Sequence, residues 1–173
     1  VALRLPHRTE VEVDTWAEVW EPHEEIRLET EDSVLRDVEG DMDLPVRDMS
    51  VAQDWHTSFG VALGAEWEAI EGWLRVRAGL YYDSGAMPDQ TVSVAWVDSH
   101  KLGLSAGLTL EVWHFAFDLG YSHLFFVPRT ITNSEMRQIS PIEPAEPDLL
   151  TVVANGRYES SLDVVALTAR FAY

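Results

Sequence analysis

Four cations share one side of an alternating pattern. Arg75 and Arg77 interleave with Leu74, Val76 and Ala78, Lys101 precedes Leu102, and Arg170 stands between Ala169 and Phe171. Successive side chains of a strand point to opposite faces, so these cations oppose the apolar row. On an enclosed face such a cation can hold a carboxylate ligand, because a charge in a low-dielectric pocket is costly without a counter-charge. It can equally pair with neighbouring acids, for which Asp83, Glu66, Glu111, Asp118 and Asp163 are candidates. Arg77, mid-strand among small residues, is the first candidate for ligand contact, with Arg75, Lys101, Arg170 and Tyr81 beside it.

Other chemistry is poorly served. His114 and Asp118 are four apart and His56 and Ser58 two apart, but no Ser–His–acid set converges by parity at one level. No catalytic residue is assigned. No Gly-rich phosphate loop and no Cys/His metal spacing is present, so neither cofactor nor metal is expected.

The elements that must position these residues are strands. Every second residue from Trp55 to Trp67 reads Trp-Thr-Phe-Val-Leu-Ala-Trp, and those between read His-Ser-Gly-Ala-Gly-Glu. Such a segment, tilted about 40° at roughly 3.3 Å per residue, covers roughly 30 Å, the height of a membrane. The alternation recurs from Val11 to Val19, at Ile26 and Leu28, and from Leu74 to Tyr82. It returns from His100 to Leu110, from Phe115 to Tyr121 and from Val165 to Tyr173, about seven strands in all. Short turns are expected near 21–23, 68–72 and 111–113, on the periplasmic side. Long loops are expected near 31–52, 84–98 and 127–157, on the extracellular side. Trp55, Tyr82, Tyr121 and Phe125 would then ring one interface and Trp67, Trp113, Phe171 and Tyr173 the other. Trp16 falls on the polar face, against this scheme. Gly60, Gly64, Gly79, Gly103, Gly107 and Gly120 face inward, which either leaves room for another group or relieves crowding in a curved wall.

Composition sets the outer bounds. The chain has 173 residues, one domain's length, and no apolar run approaches the ~18 residues of a membrane helix. A formal charge of −18 argues against nucleic-acid binding. Much of the acid lies between Glu29 and Asp48 and between Glu143 and Asp148, in loop-rich segments read as solvated. Cysteine is absent, as suits an oxidising route through the periplasm. The first residue is Val1 and no leader is visible, so a secretory signal is expected to be removed or to lie outside this sequence. An odd count of strands leaves two edges that lipid does not tolerate, so the chain is expected to be half of a barrel.

Four segments carry a resemblance. They are SFGVALGAEW (58–67), GWLRVRAGLYYDSGAMPDQ (72–90), FDLGYSHLFF (117–126) and GRYESSLDVVALTARFAY (156–173). Together they resemble the carboxy-terminal half of the long-chain fatty-acid outer-membrane transporter family, of the FadL/TodX type. Before Trp55 the match is loose, around Asp14, Trp16 and Trp20. The resemblance implies a fourteen-stranded barrel plugged by an amino-terminal hatch. Hydrophobic ligand would enter near the outer loops and leave sideways into the membrane. The family's Ser-Pro-Val-Pro-Asp loop reads Ser84-Gly85-Ala86-Met87-Pro88-Asp89 here, and Gln53 stands nearest to the family's luminal lysine. The terminal aromatic, Tyr173, resembles the signal read by barrel-assembly machinery.

The sequence is thus read as an all-β, antiparallel up-and-down transmembrane barrel segment that passes hydrophobic small molecules, fatty acids or hydrocarbons, without energy input. Its expected partners are membrane lipid, lipopolysaccharide, the missing half-barrel with its hatch, and the assembly machinery. The alternatives are a porin-like or structural barrel and a soluble β-sandwich or lipocalin-like binding domain.

Overall fold

The computed structural model describes residues 1–38, 42–138 and 151–171, and nothing of the side chains of Val38 and Met42. Tyr173 and the acidic stretch from Glu143 to Asp148 lie outside the described residues. The chain is all-β. A seven-stranded sheet runs in the order β1 (Ala2–Leu5), β2 (Thr9–Glu18), β7 (Ser58–Ile70), β8 (Leu74–Asp83), β9 (Lys101–Val112), β10 (Phe115–Phe126) and β13 (Ser161–Phe171). Every neighbouring pair is antiparallel, so the sheet is a simple up-and-down meander. Among the described residues no helix is long and apolar enough to cross a membrane.

The period-two pattern positions the side chains as alternation requires. Thr109 of β9 is fully buried while Leu108 and Leu110 on either side are more than two-fifths exposed. The outward row includes Val61, Leu63, Leu80, Leu104, Phe117, Leu119 and Leu167, all exposed. Among the described residues no other sheet or helix covers it. The inward row carries Glu66, Arg77, Gly107, Asp118 and Thr168 around a concavity of about 630 Å³.

The strand count of about seven is correct, but its membership is corrected. Ile26 and Leu28 are not in the sheet. They belong to β3 (Glu25–Leu28), which pairs with β6 (Met49–Ala52) in a separate ribbon, and β4 (Val34–Val38) pairs with β5 (Met42–Pro45) in another. The missing member is β1, a four-residue edge strand beside β2. The tight break at 21–23 accordingly joins no two sheet strands. The short connections are 6–8, 71–73 and 113–114, and the long ones are 19–57, 84–100 and 127–160. His7 and Arg8 in the first turn, and Trp113 in the last, take positive φ, as does Gly72 in the second. Trp113 is 96% exposed at its turn.

The long connections fold on one another. Met87, Val92 and Ile131 are buried together, with Trp55 and Tyr158 packed against them. A third ribbon, β11 (Arg129–Ile131) with β12 (Gly156–Tyr158), belongs to this cap. Arg129 ties it down, donating to Asp89 Oδ1 at 2.5 Å and to the Asp98 carbonyl at 2.6 Å. Within the described residues the buried apolar core therefore sits above the sheet, not on it.

Trp55 is a second correction. The strand begins at Ser58, and Asp54 with a φ of 48° breaks the alternation before it. Trp55 packs in the cap against Trp20, at 5.4 Å between rings, and against His23 at 5.5 Å. Tyr82, Tyr121 and Phe125 do stand outward toward the loop end, and Trp67 and Phe171 toward the turn end. Asp163 is the third correction. It lies on the outward face, where Tyr121 Oη donates to it at 2.6 Å and His123 Nδ1 lies at 2.7 Å.

Candidate ligand-binding site

The inward cations are engaged by the wall itself. Arg77 donates through Nε to Glu66 at 2.5 Å and through one terminal nitrogen to Thr109 Oγ1 at 2.7 Å. The Thr109 hydroxyl donates in turn to Asp118 at 2.6 Å. Arg170 donates to the same carboxylate from the next strand, at 3.1 Å and 3.2 Å. Arg75 pairs with Glu111. Cross-strand register explains the network, because Arg77 faces both Glu66 and Gly107, and Asp118 faces both Thr109 and Thr168. Thr109 is buried with its hydroxyl both donating and accepting, which satisfies it.

Lys101 occupies another level, at the loop end. Its ammonium lies 2.8 Å from Asp98 Oδ1 and 3.4 Å from Asp83 Oδ2. Asp98 also accepts the Ala86 N–H at 2.5 Å. Burial pushes the Asp98 carboxyl up. The Lys101 hydrogen bond, the Ala86 N–H and the Lys101 charge together outweigh it and hold the group below the ordinary carboxylate range.

These groups floor a pocket of about 190 Å³. Trp20, Trp55, Trp96 and Met87 give it apolar walls, and Glu18 adds a third carboxylate. The lining residues come from the ends of β2, β7, β8 and β9 and from two of the long connections. The pocket therefore exists only when the cap is folded onto the sheet.

The residues first singled out do not converge. Arg75, Arg77 and Arg170 line the wall toward the turns, and only Lys101 reaches the tryptophan pocket. Tyr81 covers Gly103, where a Cβ would collide with its ring. Gln53 is buried in the cap, its carbonyl accepting from Thr91 Oγ1 at 2.7 Å, and does not line the pocket. Trp16 does the same for Gly60 as Tyr81 does for Gly103, which explains an aromatic on the polar face. Gly64 has open space before it. What sequence reasoning missed is the set of tryptophans in the connections. A large apolar ring in a loop needs cover, and that was the available signal.

Among the described residues no group of three or more His, Asp or Glu is gathered to hold a metal ion. No protein-family model matches the sequence, and no curated protein matches it significantly. A solved structure does match in shape, a Pseudomonas aeruginosa FadL homologue. The superposition has a TM-score of 0.68 at 16% sequence identity and covers 98% of this chain. The fold is FadL-like. The chain spans 34% of the length of that homologue.

Proposed function

We propose that this chain is one wall of a closed outer-membrane barrel that takes up hydrophobic small molecules by passive diffusion, first binding them in the tryptophan pocket beneath the cap. The observation that carries the reading is that pocket, at the loop end of a sheet whose outward face is bare and apolar. An uncovered apolar row of this extent suits lipid and is a liability in water. It also disfavours the soluble sandwich, in which both sheet faces would be packed or wet.

Strand parity sets what closure requires. Seven antiparallel neighbours make β1 and β13 run in the same direction. An all-antiparallel wall therefore needs an odd number of further strands between them. Seven would complete fourteen, the number the family resemblance implies. A second copy of this chain with the same membrane sidedness would meet each edge in parallel, so the missing strands come from a different sequence. Barrel-assembly machinery, lipopolysaccharide around the outward face and a luminal hatch are the partners this reading requires.

Ligand charge is set by the pocket floor. Lys101 already faces Asp83 and Asp98, so a fatty-acid carboxylate would meet more negative than positive charge there. The reading thus favours uncharged hydrophobic ligands over fatty-acid anions. Tryptophan fluorescence of the assembled barrel, titrated with cyclohexane and with dodecanoate, tests it. A saturable shift of the tryptophan emission on adding cyclohexane is the expected result, and no saturable response to either ligand would remove the transport reading.

A further inference from the structure

Two polar atoms at the tryptophan pocket lack partners. Trp55 Nε1 and Asp83 Oδ1 are both buried, and neither has a hydrogen-bond partner among the described residues. Both residues line the same pocket. Asp83 uses its other oxygen toward Lys101, at 3.4 Å. A buried donor or acceptor left unmade is costly, and native structures rarely carry one without reason. Here one orphan is a donor only, the indole N–H, and the other is an acceptor only, the carboxylate oxygen.

We infer that the pocket takes a neutral hydroxyl-bearing ligand, whose oxygen accepts from Trp55 Nε1 and whose proton is donated to Asp83 Oδ1. This deepens the uptake reading above and rests on it. A hydroxyl is the smallest uncharged group that both accepts and donates. A plain hydrocarbon answers neither atom. A carboxylate could accept from the indole but could not donate to Asp83, and it would face Asp83, Asp98 and Glu18 against the single Lys101. Size agrees, since a cavity of about 150 Å³ holds benzene and this one is about 190 Å³. One six-membered ring with its hydroxyl fits among the three indoles. A site built to hydrogen-bond a hydroxyl discriminates against the analogue that lacks it, because its own groups then stay unpaired.

The test compares cyclohexanol, cyclohexane and cyclohexanecarboxylate, none of which absorbs where tryptophan does. Fluorescence titrations use the assembled barrel in lipid vesicles at known free ligand concentration. Cyclohexanol is expected to bind about tenfold more tightly than cyclohexane, with cyclohexanecarboxylate weakest. Trp55→Phe keeps a ring and removes the N–H, and Asp83→Leu removes the acceptor. Each is expected to cut the alcohol's advantage over cyclohexane to under about threefold, the two affinities being compared within the same variant. Should Asp83→Leu fail to assemble, Trp55→Phe decides alone. Equal binding of cyclohexanol and cyclohexane by the unaltered protein overturns the inference while leaving the hydrophobic pocket standing, as does an alcohol preference that survives Trp55→Phe. Binding of neither ligand overturns the inference and the uptake reading together.

Discussion

The indole of Trp16 lies over Gly60, its cross-strand partner on β7, and occupies the place a Cβ would need. One strand over, Tyr81 stands in the same relation to Gly103. Two of the inward glycines in this wall, Gly60 and Gly103, thus serve as seats for a ring from the neighbouring strand. Gly60→Ala is expected to destabilise the barrel by about 1–3 kcal/mol, as overpacking does. Gly60→Ala in a Trp16→Ala background should cost much less. Urea unfolding in lipid vesicles measures both, and equal costs in the two backgrounds would show that the ring does not need the gap.

The arginine network and the tryptophan pocket should separate by mutation. Arg77 and Asp83 are six residues apart on β8, roughly 20 Å along the strand. Arg77→Ala leaves Glu66 unpaired and removes a donor from Thr109, so it is expected to lower the urea midpoint. Cyclohexane affinity should change less than about twofold, whereas Trp55→Ala should reduce it about tenfold, on the scale of a buried ring's contribution. A large affinity loss in Arg77→Ala would place ligand at the wall instead.

Acid should loosen the cap. Glu21 is held below the ordinary carboxylate range first by the Thr57 hydroxyl, and Asp98 is held low despite its burial by Lys101 and the Ala86 N–H. A carboxyl depressed in the folded state contributes stability that is fully present above its unfolded value, about 4. That contribution is lost as pH falls through the folded value. Protease resistance of the 84–100 connection should therefore be flat from neutral pH down to about 5 and decline below about 4. Asp98→Asn should be less resistant at neutral pH and show a shallower decline. An unchanged acid limb in that variant would exclude Asp98 as a contributor.

The two faces of the sheet should respond oppositely to one substitution. Leu108→Arg puts a cation on the outward row and is expected to cost about 2–4 kcal/mol if that row meets the bilayer midplane. Thr168→Arg, inward and across from Asp118, should cost little. Folding yield in vesicles reads the contrast. Equal tolerance at both positions would mean the outward row does not meet lipid.

The six long strands of the sheet were legible because each face has one solvent, and a period of two survives over ten or more residues. The shorter pieces were not. Ile26 and Leu28 alternate as a wall strand would, yet β3 has four residues and covers only about 13 Å. Alternation reports a half-covered ribbon of any kind, and length decides whether it crosses a bilayer. β1 went unseen for the same reason, as four exposed residues carry no pattern. The inward placement of Arg75, Arg77, Lys101 and Arg170 followed from parity. Their pairing did not: Arg75 with Glu111, Arg77 with Glu66 and Arg170 with Asp118 depend on register between strands, and Lys101 with Asp98 depends on how the 84–100 connection folds. The pocket lay furthest from reach. Trp20, Trp55 and Trp96 sit in connections without periodicity, and only tertiary packing brings them together.

The shared direction of β1 and β13 constrains how such a wall could have grown. Copying this seven-stranded unit in tandem would start the second copy on a strand of reversed direction. Its long connections would then emerge where the first copy has its tight turns, and half the lids would hang on the wrong side of the bilayer. Hairpins, which return the chain to the side where it began, carry no such penalty, so a closed barrel of this kind can gain strands by internal repetition only in steps of two.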